Sequence, residues 1–124
     1  MLYFSIAVGG AAGALARYLV DTWVSNRVGT SFPWGTLIIN LTGAFVLGLL
    51  ATLAIERAVL PSTIRPPLMI GFLGAYTTFS TWMLDSWRLL EMGSWVAAAG
   101  NLVGSMALGL VAVGAGIVIG RVVP

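Results

Sequence analysis

The sequence predicts an all-α membrane protein: four transmembrane helices in each subunit, the third of them broken. Three observations predict it. Mean hydropathy is +1.00 and only 8% of the 124 residues are charged, whereas soluble domains carry about a quarter. Residues 1–16, 28–55, 66–84 and 92–120 contain no charge at all, and about 20 such residues span the hydrocarbon as a helix. One of these stretches is crowded in its middle with glycines, hydroxyls and aromatics, where lipid tolerates a broken helix only if protein or water satisfies the freed backbone.

Four spans fit within a single domain covering residues 1–124, at about 3–23, 34–55, 66–90 and 95–120. The first starts without a positive n-region and stays apolar through Arg17 and Tyr18 towards Trp23, so it reads as a span and not as a cleaved leader. The second follows Pro33 and carries Thr36 and Asn40 on one face, with Gly43 close by. The third opens at Pro66-Pro67 and is interrupted between Gly71 and Trp82. On the fourth, Asn101, Ser105 and Gly109 form a stripe at i, i+4 and i+8. The connections near 24–33, 56–65 and 91–94 hold half of the charges, together with breakers such as Gly29, Pro33 and Pro61. Trp23, Trp34, Trp87 and Trp95 fall near predicted span ends, as an interfacial belt requires, and Trp82 does not.

The residue inventory excludes much chemistry. With no Cys and no His, thiolate or imidazole metal sites and the usual nucleophile–base pairs are absent. An enzyme is therefore not expected. All six basic residues are Arg, and a scattered net charge of +2 does not make a nucleic-acid surface. Arg57, Arg65 and Arg121 share one predicted side of the membrane, and Arg27 and Arg88 the other. A bias this small barely sets orientation. Insertion in both directions with antiparallel pairing is one reading, and weak orientation resolved by the cell is the other. Glycines four apart at Gly9/Gly13, Gly100/Gly104 and Gly116/Gly120 let backbones approach closely in lipid. A chain this short has little interior, so a second copy is expected to complete it. For Arg17, one turn before Asp21, snorkelling to the interface, pairing with Asp21 and holding an anion in a vestibule are all open.

Three blocks, in order, resemble the Fluc (CrcB-type) fluoride channels along essentially the whole chain. They are Gly9-Gly10-Ala-Ala-Gly13-Ala-Leu-Ala-Arg17-Tyr18, then Pro33-Trp34-Gly35-Thr36-Leu-Ile-Ile-Asn40-Leu-Thr-Gly43-Ala-Phe45-Val-Leu-Gly48, and lastly Gly71-Phe-Leu-Gly74-Ala-Tyr-Thr77-Thr78-Phe79-Ser80-Thr81-Trp82. The third block looks like the family's GFLGG-x-TTFSTF signature. The resemblance implies a passive, fluoride-selective channel that lowers cytoplasmic fluoride. It implies an antiparallel, dual-topology homodimer in a bacterial or archaeal plasma (inner) membrane, with two pores and a central structural Na⁺. Its ligands would be the backbone carbonyls of Gly74 and Thr77 from each subunit. Ions would pass Asn40, Phe79, Ser80, Thr81 and Trp82. Arg17, Thr36, Asp85, Asn101 and Ser105 are candidates for the pore or its vestibules.

Physical chemistry makes these assignments sensible. Fluoride holds its water tightly, so a pore must offer replacement donors such as amide N–H and hydroxyl O–H. An aromatic ring has a positive edge to present to an anion, and unwound carbonyls coordinate Na⁺. Two departures stand out. The family's second phenylalanine is Trp82 here, and its usual fourth-span tyrosine falls at Asn101. They put the pore's ligand set in question and leave open one half of a heterodimer, including a non-conducting partner subunit. The rival from another class is a small dual-topology, proton-coupled exporter. It needs a membrane-embedded carboxylate, for which only Asp21 and Asp85 are available.

Overall fold

The computed structural model describes residues 1–124 and is all-helical, without a strand. Helix α1 (Leu2–Val28) ends where Gly29 takes a φ of 82°, a conformation that glycine adopts without steric cost. It runs past Trp23 to Val28, so the connection expected at 24–33 shortens to 29–33. Ser25, Asn26 and Arg27 are polar, and a helix leaving the bilayer can carry such residues into the headgroup layer. Helix α2 (Trp34–Glu56) starts behind Pro33, which cannot continue a preceding helix, and closes with wide π-type turns over Thr52–Glu56. Helix α5 (Trp95–Val122) has a similar wide segment at Gly100–Gly104.

These three helices are long and apolar enough to cross a membrane. The third span anticipated from the sequence arrives in pieces. Pro66–Leu73 and Gly74–Tyr76 run on as one segment, α3, and helix α4 (Phe79–Glu91) follows a two-residue gap. The pieces are eight, three and thirteen residues long, so none alone reaches the about 20 residues that a crossing needs.

Packing follows two seams. α2 lies along α5, and α1 lies along α3, with α1 also meeting α2. Apolar side chains gain nothing by leaving lipid for each other, so close backbone approach has to supply the attraction. Both seams are built that way. A methyl group added at Gly9 or Gly13 would overlap the carbonyls of Pro67 or Phe72 in α3, and one at Gly48 or Gly116 would overlap those of Val113 or Phe45 across the α2–α5 seam. The ends of α2 and α5 are latched by Arg121, whose Nε and Nη2 donate to the Glu56 carboxylate at 2.8 and 2.9 Å. This is the chain's single ion pair, so Arg17 and Asp21 do not pair.

Only 18 of the 124 residues are buried, and large apolar side chains cover the exterior of α1 and α5. Such a surface suits hydrocarbon. The few buried polar side chains are all hydrogen-bonded.

Candidate functional site

The gap between α3 and α4 is the centre of interest. Thr77 (φ −76°, ψ 155°) and Thr78 (φ −147°, ψ 114°) are extended, in the middle of an otherwise helical segment. In an unbroken helix the N–H of residue 78 would bond to the carbonyl of residue 74, and the N–H of 81 to that of 77. Both donors are diverted to side chains. Thr78 N–H donates to Asn40 Oδ1 at 2.8 Å, and Thr81 N–H to Thr78 Oγ1 at 3.3 Å. The carbonyls of Gly74 and Thr77 therefore lose their helical donors. Leu73 C=O instead accepts twice, from Thr77 N–H at 3.1 Å and Thr77 Oγ1 at 3.0 Å.

Asn40 holds the gap open from α2. Besides accepting from Thr78 N–H, it donates from Nδ2 to Thr78 C=O at 3.0 Å. One carboxamide thus replaces a helix's own partners for a whole residue, which lipid could not do. Asn Nδ2 has two hydrogens, so one remains uncommitted. Gly43, one turn further along α2, lets the gap seat closely: a methyl there would overlap the Thr77 side chain and press on the Tyr76 ring. Thr78 also caps α4, in the N-cap position that favours hydroxyl side chains. Its hydroxyl donates to Thr81 Oγ1 at 3.0 Å, which leaves the Thr81 O–H free to donate elsewhere.

Two cavities flank this region. An apolar groove of about 530 Å³ runs past the gap, and its walls include Asn40, Gly74, Thr77, Phe79, Trp82 and Ser105. A polar cavity of about 320 Å³ lies at the start of α2 and takes in Thr36, Thr81 and Asp85, with Asp21 and Arg88 opposite. There Thr36 Oγ1 donates to Asp85 Oδ2 at 2.7 Å, so the Thr36 hydroxyl hydrogen is committed. Phe79 is 70% exposed and stands T-shaped to Trp82, with ring centroids 5.7 Å apart.

Of the residues singled out from the sequence, Ser80 and Arg17 line neither cavity, and Ser80 is exposed at the start of α4. Asn101 is only 1% exposed and faces α4, not the groove: its Nδ2 donates to Ser86 Oγ at 2.9 Å. Ser105 in turn donates to Asn101 Oδ1 at 3.4 Å. Thr78 is the residue that the sequence reading passed over. A hydroxyl directly before a helical stretch was the signal for its cap. Nothing local announced its pairing with Asn40, 38 positions away.

The family model described as CrcB-like protein, Camphor Resistance (CrcB), matches residues 4–117. The chain belongs to the CrcB family. A fluoride-specific ion channel FluC of Magnetococcus marinus is 43% identical to this CrcB chain over 118 residues, covering 95% of it and 96% of the relative. One from Chloroflexus aurantiacus is 46% identical over 117 residues, covering 94% and 93%. One from Methylococcus capsulatus is 48% identical over 118 residues, or 95% of this chain, but the match spans about half of that relative, 52%. With its three long apolar helices, this CrcB member is a multi-pass membrane protein.

Proposed function

We propose that this CrcB chain is a passive fluoride channel and not an enzyme, working as an antiparallel, dual-topology dimer in the inner membrane of a bacterial or archaeal cell. One observation carries the reading: the polar groups left over at the gap after internal hydrogen bonding. On the donor side they are the second Asn40 N–H and the Thr81 O–H. On the acceptor side they are the carbonyls of Gly74 and Thr77. Free donors suit a small anion stripped of water, and free carbonyls suit a cation. The relatives' name, fluoride-specific ion channel, agrees with the donor side.

Fluoride would enter along the groove, exchange water for the Asn40 amide, pass the exposed Phe79 ring beside Trp82, and leave past Thr81 through the polar cavity of Thr36 and Asp85. Arg17 and Ser80 line neither cavity, and Ser105, in the groove wall, has its hydroxyl committed to Asn101 Oδ1, so none of the three joins this short donor path. Leu47, Met69, Leu73, Met106 and Leu110 make the groove walls largely apolar, so they offer the ion no competing donors. The family's Na⁺ would be held by the Gly74 and Thr77 carbonyls, hard neutral oxygens of the kind that unwound membrane helices offer to Na⁺. It would supply a fixed positive charge where two gaps meet.

A second copy would bind through α5. Gly100, Gly104 and Gly114 have open space where a side chain would go, in contrast to the filled seam at Gly116 and Gly120. Two gaps on one dimer axis would give two pores and four carbonyl ligands. Proton-coupled export is less well supported, because Asp85 is occupied by Thr36 and Asp21 is exposed at the membrane edge.

The test is fluoride efflux from liposomes loaded with potassium fluoride. Rapid, electrogenic loss that starts with a potassium ionophore and needs no proton gradient is expected. Efflux that runs only with a proton gradient would replace the channel by an exchanger.

A further inference from the structure

The indole of Trp82 does not serve as an anion donor, because its N–H is already used. Trp82 Nε1 donates to the backbone carbonyl of Asn101 at 2.9 Å. That bond closes a circuit between α4 and α5. Asn101 Nδ2 donates to Ser86 Oγ at 2.9 Å, and Ser86 Oγ donates to the Trp82 carbonyl at 2.8 Å. Each of these groups both anchors and is anchored, and the two central side chains are sealed, with Asn101 1% and Ser86 3% exposed. The circuit fixes the indole plane at two points, through the ring nitrogen and through its own backbone.

Phe79 has no such fixing. It is 70% exposed, it sits at the first position of α4, and an apolar ring has no polar atom with which to hold a rotamer. Its aromatic neighbour is the anchored indole, at an interplanar angle of 78°. Edge-to-face pairs are held by their quadrupoles as well as by contact. We propose that Trp82, held by Asn101 and Ser86, is a positioning residue that fixes the orientation of the Phe79 ring in the ion path. The proposal rests on the channel reading for its functional consequence and on geometry alone for the link between the rings.

The test uses the full chain, labelled with para-fluorophenylalanine and reconstituted in liposomes. Phe79 is assigned in the fluorine NMR spectrum as the resonance lost in Phe79→Leu. Two variants loosen the indole in different ways. Trp82→Phe keeps a ring and removes the N–H, and the extra label it brings at 82 is told apart by Phe79→Leu made in the same background; Ser86→Ala keeps both rings and cuts the circuit. Both are expected to shift or broaden the Phe79 resonance. Fluoride efflux should fall roughly threefold to tenfold, the range that one neutral hydrogen bond supports, and discrimination against chloride should fall with it. A role confined to stability would lower the melting temperature and leave the resonance and the selectivity where they are. An unchanged Phe79 resonance in Ser86→Ala overturns the proposal, even if Trp82→Phe fails to fold. If the wild-type chain moves no fluoride, the channel reading fails, while the resonance still decides the link between the rings.

Discussion

Two asparagines anchor the broken segment, one on each side, and they do different work. Asn40 of α2 bonds to the main chain of Thr78 through both ends of its amide, whereas Asn101 of α5 bonds to a side chain, Ser86. The first anchor determines which carbonyls and donors are left over. The second determines where α4 lies and, through the indole it holds, how Trp82 stands against Phe79. A polar residue at bilayer depth is a functional candidate by default. The pair teaches that its partner type, backbone or side chain, separates a shaping role from a fastening one.

The sharpest way to break this contrast is Asn40→Asp. The carboxylate still accepts from Thr78 N–H, but it faces the Thr78 carbonyl without a donor and places negative charge on an anion path. Fluoride efflux should fall by about tenfold to a hundredfold, the scale of one hydrogen bond to a charged group, with dimer mobility in gel filtration retained. Wild-type flux would remove Asn40 from the path.

Gly43→Ala probes the same side without touching a hydrogen bond. The added methyl must displace Thr77, and overpacking of this kind costs about 1–3 kcal/mol. Flux should drop and its dependence on Na⁺ concentration should shift, which efflux at graded Na⁺ would reveal. Asn101→Leu tests the other side. Interhelical hydrogen bonds in membranes average about 0.6 kcal/mol, so a lower melting temperature in detergent and a severalfold loss of flux are expected. If this substitution silences the protein as fully as Asn40→Asp, the distinction between shaping and fastening is wrong. Glu56→Gln should do least. It loosens an exposed latch far from the gap, and flux should be unchanged, with a slight loss of thermal stability that high salt conceals.

The interruption itself was legible, because glycines and hydroxyls inside a charge-free stretch have few other uses. The small-residue faces were legible as well, although their fates were not. Gly116 and Gly120 pack against α2, while Gly100 and Gly104, at the same spacing on the same helix, face open space. Spacing reports a close-packing face and is silent on whether its partner lies within the chain or beyond it. Trp82 and Asn101 looked like two separate oddities of composition, 19 positions apart. They are one bonded pair, and no local pattern encodes a contact made by folding. The far end of α1 escaped because hydropathy marks where lipid ends, and a helix does not have to stop there.

The Asn40 clamp grips main-chain atoms, and that makes the two partners unequal under mutation. Any residue placed at 78 brings the same peptide group to the clamp, proline apart, and sacrifices only its hydroxyl's service to α4. No other amino acid of the same length can stand in at 40, since none carries an acceptor and a donor side by side. Drift should therefore be tolerated on the strand-like side of the contact and punished on the helical side.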